Sequence, residues 1–328
     1  MKKIIAAVVG AVLLIIALFM VLRPDPINQK LEDTMKDLEA YHMSGVMEML
    51  HGEDVKQYDL DIAWQKSGEM ENYRVSLFDK NLSQEQIILK NMDGVFVLTP
   101  NLNQAFKFKG EWPSDSPKPY LYQSMLAWVQ EGCQSKKQSD GYFVSCDVSY
   151  PNSMQLVKQE MMFDKDMKPM WVRVYNGDGI EEVKILFDEV DFKPQFETAF
   201  FDVNDNLKNS KSDMVSAEVD LPLYPVYVYD ARLTNTSVAK VGNEERHILE
   251  FTGEKSFTIV EVERVRSSEP VLMQVSGELV DNVDMFGAYD GTCLTLYSSD
   301  VEFSIYSQDL SVDEMLSVVS SMQVAVMK

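Results

Sequence analysis

Residues 86–98 read QIILKNMDGVFVL, and this stretch contains the pattern on which the fold depends. Two short runs of apolar, β-prone residues, Gln86–Lys90 and Val95–Leu98, lie on either side of Met92-Asp93-Gly94. Aspartate followed by glycine is typical of a tight turn, and a turn between two such runs predicts a pair of antiparallel strands. The first unit of the chain is therefore predicted to be a β-meander.

The same arrangement extends in both directions from this hairpin. Apolar residues at helical spacing predict one helix before the sheet, Lys30–Ala40, and one within it, Tyr120–Gln130. Three prolines within residues 112–119 interrupt the sheet before the second helix. The predicted fold class is thus α+β, with an antiparallel sheet in residues 28–203. The other strands predicted in this unit are Tyr41–Leu50, Val55–Gln65, Tyr73–Asp79, Ala105–Lys109, Tyr142–Ser149, Met154–Phe163, Met170–Tyr175 and Glu182–Phe187.

A polar segment without prolines, residues 204–220, is predicted to link this unit to a second one at residues 221–328. Ser311 and Glu314 have the spacing of a capping box, in which the two side chains bond the first free amides of a helix. We therefore expect a helix over Val312–Met322 and a small α+β domain. Its predicted strands are Val226–Leu233, His247–Thr252, Phe257–Arg264, Leu272–Leu279, Thr292–Tyr297 and Val301–Tyr306.

The N-terminus carries an unbroken apolar run, residues 4–22, between Lys2-Lys3 and Arg23. As a helix this run would be about 28 Å long, close to the thickness of the hydrocarbon core of a bilayer. It ends without a small-residue cleavage motif, and no cysteine follows directly, so residues 1–23 are predicted to be an uncleaved transmembrane signal anchor. The paired lysines favour a cytoplasmic N-terminus, which puts the rest of this single-pass protein outside the cell membrane.

Composition excludes several classes of function. The formal net charge of −22 argues against binding to nucleic acid or to anionic lipid head groups, because both are polyanions. Three histidines without a ligand-spaced cluster argue against a metal site, and no nucleophile elbow or phosphate-binding glycine loop is present. We therefore predict no cofactor and no enzymatic activity. Cys133 and Cys146 leave two alternatives open, a disulfide or two free thiols.

Several predicted strands are apolar on both faces. Met43, Met47 and Met49 share one face of the first strand, while Val46 and Leu50 lie on the other. A sheet with one face in water should alternate apolar and polar residues, so this sheet needs cover on both faces or a ligand on one. Methionine is frequent, at 20 residues, and its flexible thioether suits a surface that binds apolar guests. The alternative is an ordinary core in which methionine fills space.

The predicted elements follow a definite order: a helix, a meander, a proline-broken segment, a helix and four more strands. The motifs within them are Trp64, Tyr73-Arg74-Val75, Asp93-Gly94-Val95-Phe96-Val97 and Lys165-Asp166-Met167-Lys168-Pro169. In this order and with these motifs, residues 28–203 resemble the outer-membrane lipoprotein carrier (LolA) superfamily. The likeness is closest to membrane-attached versions associated with sporulation and germination in single-membrane bacteria. The end of the chain resembles a small domain that is often appended to such proteins.

This resemblance implies an open, incomplete β-barrel whose concave apolar face holds acyl chains beneath a helical lid. The leading hypothesis is then a membrane-anchored, extracytoplasmic protein that binds a lipid or a lipoprotein acyl chain. The second hypothesis is a non-catalytic regulatory or structural partner of a cell-envelope or sporulation protein, with a filled barrel. The residues that would line a lipid site are Met43, Met47, Met49, Tyr73, Val75 and Leu77 on the sheet and Tyr122, Met125 and Trp128 on the lid helix.

Overall fold

A computed structural model describes most of the chain after the predicted anchor. No helix within the described ranges is long and apolar enough to cross a bilayer. The predicted anchor, residues 1–23, lies outside the described residues. The described ranges are residues 26–51, 54–110, 112–113, 116–197, 199–209, 219–298 and 300–324.

The N-terminal unit is an antiparallel meander accompanied by two short helices, which agrees with the expected half-barrel. Its predicted strands are confirmed to within a few residues, whereas β7 was missed because its four polar residues carry no apolar alternation. Helix α1 is Pro26–Asp37 and helix α2 is Tyr122–Gly132. The strands are β1 (Ala40–His51), β2 (Asp54–Ser67), β3 (Met70–Asp79), β4 (Gln84–Asn91), β5 (Gly94–Thr99), β6 (Gln104–Lys109), β7 (Gln134–Lys137), β8 (Tyr142–Asp147), β9 (Leu156–Phe163), β10 (Pro169–Asn176) and β11 (Glu181–Asp191).

The register of the meander aligns an apolar row on one face of the sheet. Because side chains alternate along a strand, one residue from each strand contributes to the row at the same level. We call this face, which helices α1 and α2 cover, the inner face. Across β1 to β6 the row consists of Met43, Ile62, Val75, Ile88, Val97 and Phe106.

The opposite, outer face of the sheet is also covered by the chain itself. Phe96 and Leu98 on β5 pack with Phe201 and Leu207 in a second apolar cluster. Leu207 lies on helix α3, Val203–Lys208, which begins after Asp202 because that carboxylate accepts hydrogen bonds from two free backbone amides. The sequence predicted a linker from residue 204, but its first residues form this helix. The sheet, whose strands are apolar on both faces, is thus covered by helices α1 and α2 on the inner face and by the segment around helix α3 on the outer face.

The C-terminal unit combines an antiparallel sheet with one packed helix, α4 (Val312–Ser320), and its predicted capping box of Ser311 and Glu314 is confirmed. The predicted strand Val226–Leu233 is wrong, since residues 226–231 form a bend, irregular backbone and a turn, and the strand begins at Arg232. That strand is rich in threonine, serine and asparagine, and therefore lacks an apolar period. The strands are β12 (Leu223–Pro225), β13 (Arg232–Val241), β14 (Glu244–Thr252), β15 (Phe257–Glu263), β16 (Val271–Asp281), β17 (Phe286–Tyr289), β18 (Cys293–Tyr297), β19 (Val301–Tyr306) and β20 (Met322–Val324).

The two units share one sheet, which has eighteen strands among the described residues. Strand β16 pairs in parallel with β6, so the ladder of hydrogen bonds passes from one unit into the other. Buried side chains reinforce this junction. The Arg264 guanidinium donates hydrogen bonds to Thr99 Oγ1 and Gln104 Oε1, each at 2.8 Å. The C-terminal unit is therefore fixed against the half-barrel at this seam.

Candidate functional site

The inner face of the half-barrel brings together all nine residues predicted to bind a ligand. Alternation along β1 and β3 and the helical period of α2 direct these side chains toward the same space. They form one apolar cluster, in which each is at most 8% exposed. From β1 the cluster takes Met43, Met47 and Met49, from β3 Tyr73, Val75 and Leu77, and from α2 Tyr122, Met125 and Trp128.

Aromatic side chains fill the space between the sheet and the helices. The ring of Tyr41 stacks on Trp64 with centroids 5.5 Å apart, and Tyr73 meets Trp112 edge-on at 5.7 Å. Tyr41 Oη donates a hydrogen bond to Gln123 Oε1 at 2.6 Å, which ties β1 to α2. Burial raises the pKa of Tyr41 and of Tyr73 well above the ordinary range, so both phenols stay neutral. The predicted lining residues thus pack as an ordinary core, and their binding of an acyl chain stays a prediction.

Helix α2 is attached to the rest of the unit near its C-terminal end. The carbonyl of Val129 accepts a hydrogen bond from Asn28 Nδ2 of α1 at 3.2 Å. Cys133, directly after the helix, forms a disulfide with Cys146 on β8, with Cα atoms 4.5 Å apart. Of the two alternatives that the sequence left open, the structure therefore has the disulfide. Access to the inner face would require α1 and the first turns of α2 to move.

A buried cluster of Ser116, Lys118 and Asp281 has the residue types of a hydrolytic site. Lys118 Nζ lies 2.9 Å from Ser116 Oγ and 2.8 Å from Asp281 Oδ2. A lysine base must be neutral to accept a proton from serine. Burial lowers the pKa of Lys118, but the Asp281 carboxylate opposes this by stabilising the ammonium. Moreover, Ser116 donates its hydroxyl proton to Asp281 Oδ1 at 2.5 Å and accepts a hydrogen bond from Lys118 Nζ, which is the pattern of a buried ion pair that also binds a hydroxyl.

Sequence reasoning missed this cluster and its neighbour Asp284. Lys118 stands between two prolines and Asp281 begins a polar turn, which are both patterns of solvated side chains. No local pattern relates residues that are so distant in the chain, and only the pairing of β16 with β6 brings the segments together. Among the described residues, no group of three or more histidine, cysteine, aspartate or glutamate side chains could hold a metal ion.

The chain is similar in sequence to a named bacterial protein. No family model matches this chain. The sporulation protein YdcC of Bacillus subtilis is 30% identical over 307 residues, which cover 89% of this chain and 88% of that protein.

The chain also matches solved structures, among them MucB and a LolA superfamily protein. One match is MucB in the MucA/MucB complex of Pseudomonas aeruginosa, which is 9% identical. This match covers 91% of this chain and 98% of the MucB chain, with a TM-score of 0.32. Another match is a LolA superfamily protein from Nitrosomonas europaea, which is 10% identical. This match covers 55% of this chain and 97% of the LolA superfamily protein, with a TM-score of 0.30. The LolA superfamily named from the sequence is thus among the neighbours. Both scores lie below 0.5, and the family assignment therefore rests on the sequence relative. By that identity and coverage, this chain belongs to the family of the sporulation protein YdcC.

Proposed function

We propose that this protein is a non-catalytic binding protein of the cell envelope that holds a protein partner during spore formation. The observation that carries this proposal is the packed inner face of the half-barrel, where all nine residues predicted to line a lipid site are buried in one cluster. The sporulation relative supports the process in which it acts. The proposed location is the outer side of the cell membrane, supported by the apolar run at residues 4–22 and the lysines before it.

Strand β13 is the surface that we assign to the partner. Among the described residues it pairs only with β14, so its other edge presents unpaired backbone groups. Nearly every residue of β13 is exposed on either face, including Val238 at 57%. The strand carries Arg232 and Lys240 and no acidic residue, in a chain with a net charge of −22. Lys240 pairs with Glu245 of β14 at 2.8 Å, so the backbone groups of the edge carry the recognition, and an extended segment of another protein fits them by strand addition.

Photo-crosslinking in sporulating cells tests this assignment. A benzophenone amino acid in place of Val238 should give one dominant protein adduct, because the partner strand would lie directly against it. Leu186, an exposed residue of β11 on the half-barrel, is the matched control position and should give none. Absence of a protein adduct at Val238, or equal yield of the same adduct at Leu186, would contradict the proposal.

Binding of an acyl chain by the inner face is the second candidate. It is favoured by the thioethers of Met43, Met47, Met125 and Met161 in one apolar cluster that short helices cover. Native mass spectrometry of the chain without residues 1–23, purified without detergent, should then show a lipid adduct that disappears on denaturation. Consistently ligand-free protein would eliminate this candidate.

A further inference from the structure

A cavity of about 370 Å³ lies where one end of the half-barrel meets the C-terminal unit. The end of β1, the start of β11 and the turn before β9 form one side, and the turn after β16 together with α4 forms the other. Its volume is within the usual range for small-molecule sites. Its apolar walls are the buried side chains of Met49, Leu156, Val183, Val283 and Leu316.

Asp284 supplies a buried carboxylate to this cavity. The residue is 8% exposed, and its Oδ2 accepts a hydrogen bond from Tyr58 Oη at 2.9 Å, with Lys56 Nζ at 3.8 Å. Its other oxygen, Oδ1, is buried and has no hydrogen-bond partner among the described residues. A buried acceptor without a partner costs about 1–3 kcal/mol, and a small rotation of the carboxylate that brings Oδ1 to a hydrogen-bond donor in the cavity would recover that cost.

The charged residues around the cavity determine which charge a bound ligand should carry. Two carboxylates, Asp284 and Glu182, line it together with several serine hydroxyls, and no lysine or arginine does. Lys56, which is not among the lining residues, offsets part of the charge of Asp284, whereas Glu182 adds a second negative charge. An anionic ligand would therefore be repelled, whereas a protonated amine would satisfy Asp284 Oδ1 by a charge-assisted hydrogen bond. The exposed side chains of Val226 and Tyr227 line the cavity as well, so it communicates with solvent.

We propose that this cavity is a binding site for a small organic cation, a protonated amine carried on an apolar body. The ammonium group donates to Asp284 Oδ1, and the apolar body lies against Leu156, Val183 and Leu316. This site is independent of the partner strand proposed for β13, and either can fail without the other.

Isothermal titration calorimetry with three matched probes tests the site, in phosphate buffer because amine buffers would compete. Phenethylamine, 2-phenylethanol and 3-phenylpropionate share an aromatic body and differ in the charge of the polar end. The amine should bind with a dissociation constant of about 1 mM or tighter, the alcohol more weakly and the carboxylate not measurably. Binding of the carboxylate as tight as that of the amine, or no binding of the amine, would overturn the proposal.

Two variants locate the binding. Asp284→Asn should weaken the amine about tenfold or more, since a charge-assisted hydrogen bond becomes a neutral one. Asp178→Asn, the same change in an exposed turn between β10 and β11, is the control and should have no effect. Ser317→Trp fills the cavity from an exposed position of α4 without disturbing the core, and should abolish binding. Unchanged affinity in both cavity variants would show that the amine binds elsewhere.

Discussion

Glu261 is the clearest case of a single side chain whose chemistry depends on its burial. It lies on β15 with no exposed surface, and its Oε2 accepts a hydrogen bond from the backbone amide of Leu223 at 2.9 Å. Its Oε1 has no hydrogen-bond partner among the described residues. Burial raises the pKa of Glu261 from 4.5 to about 7, and the hydrogen bond from Leu223 only partly opposes this. Between pH 4.5 and about 7, Glu261 is therefore mostly protonated in the folded protein and ionised in the unfolded chain.

This raised pKa predicts how stability depends on pH. Between pH 4.5 and about 7 the folded state binds more protons than the unfolded state, so the contribution of Glu261 to stability falls as pH rises. A Glu261→Gln variant removes this dependence. Relative to the wild type it should gain about 2–3 kcal/mol in unfolding free energy between pH 5 and pH 8.

Urea denaturation at a series of pH values measures the effect. Glu263→Gln, an exposed position two residues further along β15, is the control and should follow the wild type. A constant difference between Glu261→Gln and the wild type across the pH range would contradict the prediction.

At the scale of elements, helix α2 is held by the disulfide between Cys133 and Cys146. The bridge closes a short loop and restricts the unfolded chain, which gives about 2–3 kcal/mol of stability in the chain-entropy model. The double variant Cys133→Ala/Cys146→Ala should lose that amount. Its urea m value should rise, because the unfolded chain without the bridge exposes more surface.

Tryptophan fluorescence during urea unfolding provides the measurement, since the four tryptophans lie in the half-barrel. Cys293→Ala removes a buried free thiol and is the matched control, with an unchanged m value expected. A double variant with the same midpoint and slope as the wild type would refute the stabilising role of the bridge.

The elements also show how far the sequence predicts this fold. The strands around Asp93-Gly94 were predicted because turn residues and apolar period agree there, and the two strands pair in antiparallel fashion. Strand β13 was missed because an exposed edge strand has no buried face to impose a period. For the site, the shared face of Met43, Tyr73 and the other lining residues was predictable from alternation. Whether a ligand or the protein's own aromatic rings occupied that space was not, because both require the same apolar face.

At the scale of the whole molecule, the shared sheet predicts that both units unfold together. The buried pair of Lys118 and Asp281 crosses the seam, and its side chains are each 2% exposed. Lys118→Met leaves a buried carboxylate without its cation, so we expect a loss of about 3–5 kcal/mol. Because the units share one ladder, peptides from both should lose hydrogen-exchange protection to the same extent.

Hydrogen-exchange mass spectrometry in moderate urea can follow both units at once. The compensating variant Lys118→Met/Asp281→Asn should regain part of the stability, since no unpaired charge then stays buried. Loss of protection confined to the half-barrel would contradict the coupling between the units.

The parallel pairing of β6 with β16 also constrains the biogenesis of the protein. When the ribosome has completed β6, about 160 residues must still be added before β16 exists, which takes roughly ten seconds or more at ordinary elongation rates. During that interval the nascent half-barrel presents an unpaired edge that includes Phe106 and Phe108. Such an edge invites association with other nascent chains, so a premature stop near residue 220 would leave an aggregation-prone fragment.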